Sequence, residues 1–296
     1  MHILITGGTG LIGSALSEAL RQRGHHITVL TRTAHPSEAG KSFVTSLQDC
    51  SEKVDAVINL AGAGLADRRW TRRYKREIFR SRIDLTRELV QWMATQPLPP
   101  QRLLSGSAIG FYGASDDAIF DEDSSPGQGF AADLCSRWEE AATTAEEIGV
   151  HVTRLRLGVV LAKEGGALNK MTQSFRFGME SWLGSGDQWL SWIHLHDVVR
   201  AIEFILTSPA EHKIFNLASP HPVQHRTFAH WAGQCLGTRL KLGVPRLAAR
   251  LLAGEMAQEL LLSGQRVLPV ALCAQGFDFR YPVIYPALQN LLTADA

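Results

Sequence analysis

Apolar and polar positions follow two different rhythms along this chain. His2–Thr6 (HILIT) is a short apolar run that stops at Gly7-Gly8. Leu11–Arg23 then sets Leu11, Ala15, Leu16, Ala19 and Leu20 at helical spacing before Gly24. The same reading predicts strands over Ile27–Thr31, Asp55–Leu60, Arg102–Ser107, Val150–Leu161 and Ile214–Leu217. It predicts helices over Tyr74–Met93, Asp133–Ile148 and Arg246–Leu262. Strands apolar on both faces, alternating with helices, imply βαβ units and an α/β protein with a parallel sheet. After Lys163 the texture changes: Gly178, Gly184 and Gly186 lie among Trp182, Trp189 and Trp192. No Ser/Gly-rich linker separates the two regions, so the expectation is interlocked domains. Residues 1–163 form the first, with about 192–219 returning to it, and 164–296 form a smaller second one.

Composition narrows the classes of function. The 296 residues can bury a sizeable core, and 30 basic against 29 acidic residues leave a formal charge of +1. Nucleic-acid binding usually needs a basic excess, so no nucleic-acid partner is expected. No apolar run approaches the roughly 20 residues that span a bilayer, and the opening residues lack a basic segment with a cleavage site. Cys50, Cys135, Cys235 and Cys273 are scattered without a CxxC. These features lead us to expect a reduced, cytoplasmic protein without a membrane partner or a bound metal, as monomer or homodimer.

The sharpest chemical signal is Thr6-Gly7-Gly8-Thr9-Gly10-Leu11-Ile12-Gly13, between a strand and a helix. Gly7 permits a tight turn, Gly10 lets backbone approach a pyrophosphate, and Gly13 lets helix and strand pack closely. The helix start offers free N–H groups to the phosphates. The bland alternative is a glycine-rich turn with no ligand, but the strand–turn–helix context favours a dinucleotide. The fold class is therefore a Rossmann-type doubly wound parallel sheet with a smaller C-terminal substrate-binding domain. At the end of the second strand, NAD sites carry an acid and NADP sites a base. Here Val29-Leu30-Thr31-Arg32-Thr33 carries Arg32 and no acid, which predicts NADP(H), with Thr31 and Arg32 as contacts.

These residues resemble the extended short-chain dehydrogenase/reductases, and nearly the whole chain is similar to their atypical SDR39U1-like branch of epimerase family proteins. The motifs that carry the resemblance are INLAG at Ile58–Gly62, Arg69-Trp70-Thr71, Ser81-Arg82-Ile83, SWIH at Ser191–His194 and Gly254–Pro269. The resemblance implies that Leu60, Ala61 and Gly62 pass close to the adenine ribose and pyrophosphate. It puts Arg82 on the nicotinamide side, where most extended members have an Asn, and Val160 along the nicotinamide face. Glu77 precedes Arg82 by five residues, a poor spacing for a helical ion pair, so a shared ligand is an alternative role for the two. An exposed charged helix is the plain one.

The resemblance also implies a Ser/Tyr/Lys catalytic set, and here the pattern breaks. Ser107 matches, but Ala131 and Cys135 stand where Tyr and Lys belong. Neither can do the missing job, because Ala has no proton to give and Cys is not a cation. Tyr112 is the nearest stand-in acid, Lys163 a weaker one, and a half-buried loop aromatic is the plain reading of Tyr112. Asp197 fits the N-cap of the next helix, with His194 possible on the substrate side, and Asp121-Glu122-Asp123 reads as either a solvated loop or a substrate contact. Two functions follow. One is an NADP(H)-dependent oxidoreductase or epimerase acting on an unknown small molecule. The other is a non-catalytic NADP(H)-binding redox sensor or regulatory module.

Overall fold

In the computed structural model, residues 1–50, 52–209, 212–247, 254–260 and 262–293 are described. Seven strands form the central sheet: β1 (His2–Thr6), β2 (His26–Leu30), β3 (Lys41–Val44), β4 (Ala56–Asn59), β5 (Arg102–Ala108), β6 (His151–Leu157) and β7 (Ile214–Leu217). Their order is β7-β6-β5-β4-β1-β2-β3, and every pairing is parallel. The fold is Rossmann-type and doubly wound. The order reverses between β1 and β4, the kind of switch point where such sheets bind ligands beyond their strand ends.

The continuous apolar runs are explained by burial on both faces. Ile3 and Ile5 join a core cluster with Leu16, Leu20 and Ile202, while Leu4, between them, packs with Val57, Leu89 and Met93. The expected strand over Val150–Leu161 is broken at Gly158. A Cβ there would lie 2.8 Å from the Ser191 carbonyl oxygen, so only glycine lets the chain leave the sheet at that point. Val159–Leu161 then pairs with Trp192–His194.

The helix expected over Tyr74–Met93 is three pieces: Arg72–Phe79, a π-helical turn Arg80–Asp84, and Leu85–Thr95. Of the helix expected over Arg246–Leu262, the described part is Glu255–Leu260. Residues 248–253 and 261 lie outside the described residues. The C-terminal region is woven into the sheet's core: Ala271, Leu272 and Phe277 join the cluster of Ile3 and Ile5. Ile284–Leu292 packs instead on the helix His225–Leu236. Among the described residues no helix is long and apolar enough to cross a membrane.

Candidate cofactor site

The glycine turn has the geometry its spacing implies. Gly7 sits at φ +70°, a conformation that disfavours a side chain. A Cβ on it would also lie 2.7 Å from the Leu60 backbone, so the β1 and β4 loops touch here. Gly10 N–H donates to the Gly7 carbonyl at 2.9 Å and closes the turn. A Cβ on Gly13 would fall 2.2 Å from that same carbonyl oxygen, whereas a Cβ on Gly10 would meet only it, at 3.2 Å. Gly13 is therefore a packing glycine, and Gly10 faces open space. Gly10 caps the helix Leu11–Gln22 without a side-chain bond, leaving N–H groups of the first turn for an anion.

That space is a cavity of about 1300 Å³. Of the residues expected from the sequence, Gly7, Thr9, Gly10, Thr31, Arg32, Leu60, Ala61, Gly62 and Glu77 line it. Leu11, Ile12, Gly13, Arg82 and Val160 do not. Ile12 and Val160 pack against the sheet's core. Arg82 is 9% exposed, and its guanidinium donates to the carbonyls of Ala63 (3.0 Å) and Ile78 (3.4 Å). It lies 5.2 Å from the Trp138 ring, and burial lowers its pKa from the ordinary arginine value. A Cβ on Gly62 would meet its Cζ at 2.6 Å. Arg82 thus supports the β4 loop from inside the protein. Glu77 turns the other way, toward Arg68 at 4.0 Å, so the two do not share one exposed helix face.

Beneath the cavity floor runs a buried hydrogen-bond chain that the sequence analysis missed. Thr6 Oγ1 donates to Asn59 Oδ1 (2.7 Å), and Asn59 Nδ2 donates to Thr86 Oγ1 (2.8 Å). Trp138 Nε1 also donates to Thr86 Oγ1 (3.1 Å), which donates to the Arg82 carbonyl (2.6 Å). The chain ties β1 and β4 to the π turn and to the helix Phe130–Thr143. Its legible signal was Thr86, a polar residue on an otherwise apolar helix face.

The expected catalytic pair is placed differently from the expectation. Ser107, 1% exposed, donates to Glu139 Oε1 at 2.6 Å. Glu139 accepts both arms of Arg156, at 2.8 and 2.9 Å. Arg156 also donates to Tyr112 Oη (2.9 Å), and Tyr112 donates to Asn216 Oδ1 (2.7 Å). Burial pushes the Tyr112 phenol up to about 12. The expectation that Tyr112 stands in as the acid is corrected: its hydroxyl is enclosed and committed on both sides. Burial, then Glu139, also pushes the Cys135 thiol up to about 11. A Cβ on Gly110 would approach Ala131 Cβ to 3.1 Å. The small residue at the tyrosine position lets the turn Ile109–Tyr112 close onto the helix.

Two further expectations change. The N-cap of the helix Leu195–Thr207 is His194, whose Nδ1 accepts from the His196 backbone N–H. Asp197, fully buried, accepts instead from the backbone N–H groups of Arg280 and Tyr281, fastening the C-terminal segment. Glu122 is half-buried, with its Oε2 enclosed and without a hydrogen-bond partner among the described residues. Its Oε1 accepts from the Asn216 N–H at 2.9 Å, and burial raises its pKa.

Comparison with known proteins follows this geometry. The profile of the NAD dependent epimerase/dehydratase family matches residues 3–218, and that of a domain of unknown function, DUF1731, matches residues 244–291. An epimerase family protein of Mycobacterium bovis is 39% identical, across 97% of this chain and 96% of its own. The chloroplastic SDR39U1 homolog of Arabidopsis thaliana is 37% identical, across 99% and 87%. Among solved structures, human epimerase family protein SDR39U1 with NADPH superposes with a TM-score of 0.89 at 30% identity, covering 99% of both chains. UDP-glucose 4-epimerase of Thermotoga maritima, at 17% identity and a TM-score of 0.80 across 99% and 97%, shares the fold.

Proposed function

This chain belongs to the NAD dependent epimerase/dehydratase family, and from that membership we propose that it binds NADP(H) across the β1–β4 switch point. The observation that carries the reading is the cradle itself: a glycine turn closed against Leu60, with Arg32 and no acid at the end of β2, on one cavity. The human relative crystallised with NADPH supports it. Gly7, Thr9 and Gly10 would hold the pyrophosphate, Thr31 and Arg32 the adenosine 2′-phosphate, and Leu60–Gly62 the ribose side. Arg82 orders the β4 loop beneath it. When bound, the nicotinamide supplies or accepts hydride.

Ala131 and Cys135 replace the tyrosine and lysine that move protons in ordinary members, and Ser107 is tied into a buried network with Glu139, Arg156 and Tyr112. We therefore favour a cofactor-binding module that senses or responds to NADP(H), without a side-chain general acid at this place. A second reading keeps oxidoreductase or epimerase activity, with the proton drawn from water. It is favoured by Ser107, which keeps the serine of the ordinary catalytic set near the C-terminal end of β5.

Calorimetric titration of NADPH and NADH tests the cofactor. NADPH should bind at least about tenfold more tightly, since a charge-assisted contact contributes roughly 1.5–3 kcal/mol. Arg32→Ala should remove most of that difference, and equal affinities in the wild type would defeat the reading. Nicotinamide absorbance with a panel of sugars, ketones and quinones separates the two functions. Steady oxidation of NADPH would establish the enzyme.

A further inference from the structure

The cavity carries more positive charge than a pyrophosphate cradle requires. Five arginines line it: Arg32 from the end of β2, and Arg68, Arg73, Arg76 and Arg80 from the opposite wall. Of the three lining acids, Asp67 is held by Lys170 at 2.9 Å and Glu77 faces Arg68 at 4.0 Å. Among the described residues, Arg32, Arg73, Arg76 and Arg80 pair with no carboxylate. Unpaired like charges gathered around one concavity focus a field on an anion.

The direction of the wall helix selects among them. Leu47 and Glu88 line both this cavity and the smaller hollow beside it, so the end of the wall helix adjoins the segment that follows β3. That is the adenine end, shared with Thr31, Arg32, Thr45 and Ser46. Ser81 Oγ accepts from the Ala63 N–H at 2.9 Å, fixing this part of the wall against the β4 loop. Arg80 is adjacent, on the exposed side of the π turn, while Arg82, two residues on, is turned inward. Arg73 lies about 10 Å further from the adenine end, at 1.5 Å per residue.

We propose that Arg80 is the second jaw of the 2′-phosphate site, closing on that group from across the cavity while Arg32 holds it from the β2 side. This rests on the NADP(H) reading above. A 2′-phosphate adds close to two negative charges, as other phosphomonoesters do, and two guanidinium forks match its oxygens better than one. The cofactor preference is then a property of two walls, set by the π turn as much as by the end of β2.

Titration of NADPH, NADH and adenosine 2′,5′-bisphosphate into wild type, Arg80→Ala, Arg80→Lys and Arg73→Ala tests this. Arg80→Ala should weaken NADPH and the bisphosphate about tenfold and leave NADH within about twofold. Arg80→Lys should restore part of the loss, and Arg73→Ala should change the NADPH-to-NADH ratio less than Arg80→Ala. The ratio should fall with added salt in wild type, and less steeply in Arg80→Ala. Wild-type preference for NADPH with an unchanged ratio in Arg80→Ala would overturn the second jaw alone. Absence of any wild-type preference would overturn the NADP(H) reading and this inference together.

Discussion

Arg156 and Glu139 set the chemistry of the corner around Ser107. Their bidentate contact is buried, with Glu139 4% and Arg156 2% exposed, and the guanidinium lies 3.5 Å from the Phe111 ring centroid. Removing one partner strands a buried charge. Arg156→Met should therefore destabilise the fold by about 3–5 kcal/mol in urea denaturation. Tyr112→Phe removes one hydroxyl from Arg156 and Asn216 and should cost about 1–3 kcal/mol. Because that phenol is walled off, Tyr112→Phe should leave the NADPH dissociation constant within about twofold. A large loss of cofactor binding or turnover, with stability intact, would return Tyr112 to the active site.

At the level of elements, the glycine turn and the π turn do complementary work. The glycine turn brings backbone to the phosphates, so Gly10→Val should abolish NADPH binding while circular dichroism stays native. Gly13→Ala acts differently, because its methyl would press on the Gly7 carbonyl and move the helix off the turn. It should lower stability as well as affinity. The π turn is pinned by Thr86, which serves Asn59, Trp138 and the Arg82 carbonyl at once. Thr86→Val keeps the shape and deletes those bonds. It should cost about 1–3 kcal/mol and weaken NADPH indirectly, by loosening the β4 loop. Retained affinity at unchanged stability would show that the chain of bonds does not support the site.

Across the whole molecule, stability should depend on pH through buried histidines. His225 is pushed down to about 4 by burial, and its Nδ1 has no partner. His194 is also lowered by burial, and its Nδ1 caps a helix as an acceptor. The unfolded chain binds these protons more readily, so stability is full above about pH 6.5 and falls as pH drops toward 4. For His225 alone the loss at pH 5 is about 2 kcal/mol. Glu122, raised by burial, works in the opposite sense: its contribution is present at low pH and lost as pH rises through its folded value. Denaturation between pH 4 and 8 should show the net decline on the acid side, and His225→Asn should flatten it.

The sequence by itself determined six of the sheet's seven strands and the cofactor turn, while the half-buried edge strand Lys41–Val44 has no long apolar run by which it could be read. Strands buried on both faces must be apolar throughout, so His2–Thr6 and Ile214–Leu217 could be read with the bounds they have in the fold. A turn that admits only glycine leaves its mark at fixed spacing, which made Gly7, Gly10 and Gly13 legible, and Arg32 was legible by its position after β2. What only the tertiary structure decided is where polar side chains point. Ser107, Tyr112, Glu139 and Arg156 come from separate elements, 17 to 44 residues apart in the bonds between Arg156 and its partners, and no local period records their meeting. Arg80 and Arg82 differ by two residues and so lie on opposite sides of any helix, but which of them faces the cavity and which is buried depends on how the π segment is phased against its neighbours. That phase is set by Thr86, Asn59 and Trp138 from three elements, so it exists only once the chain has folded.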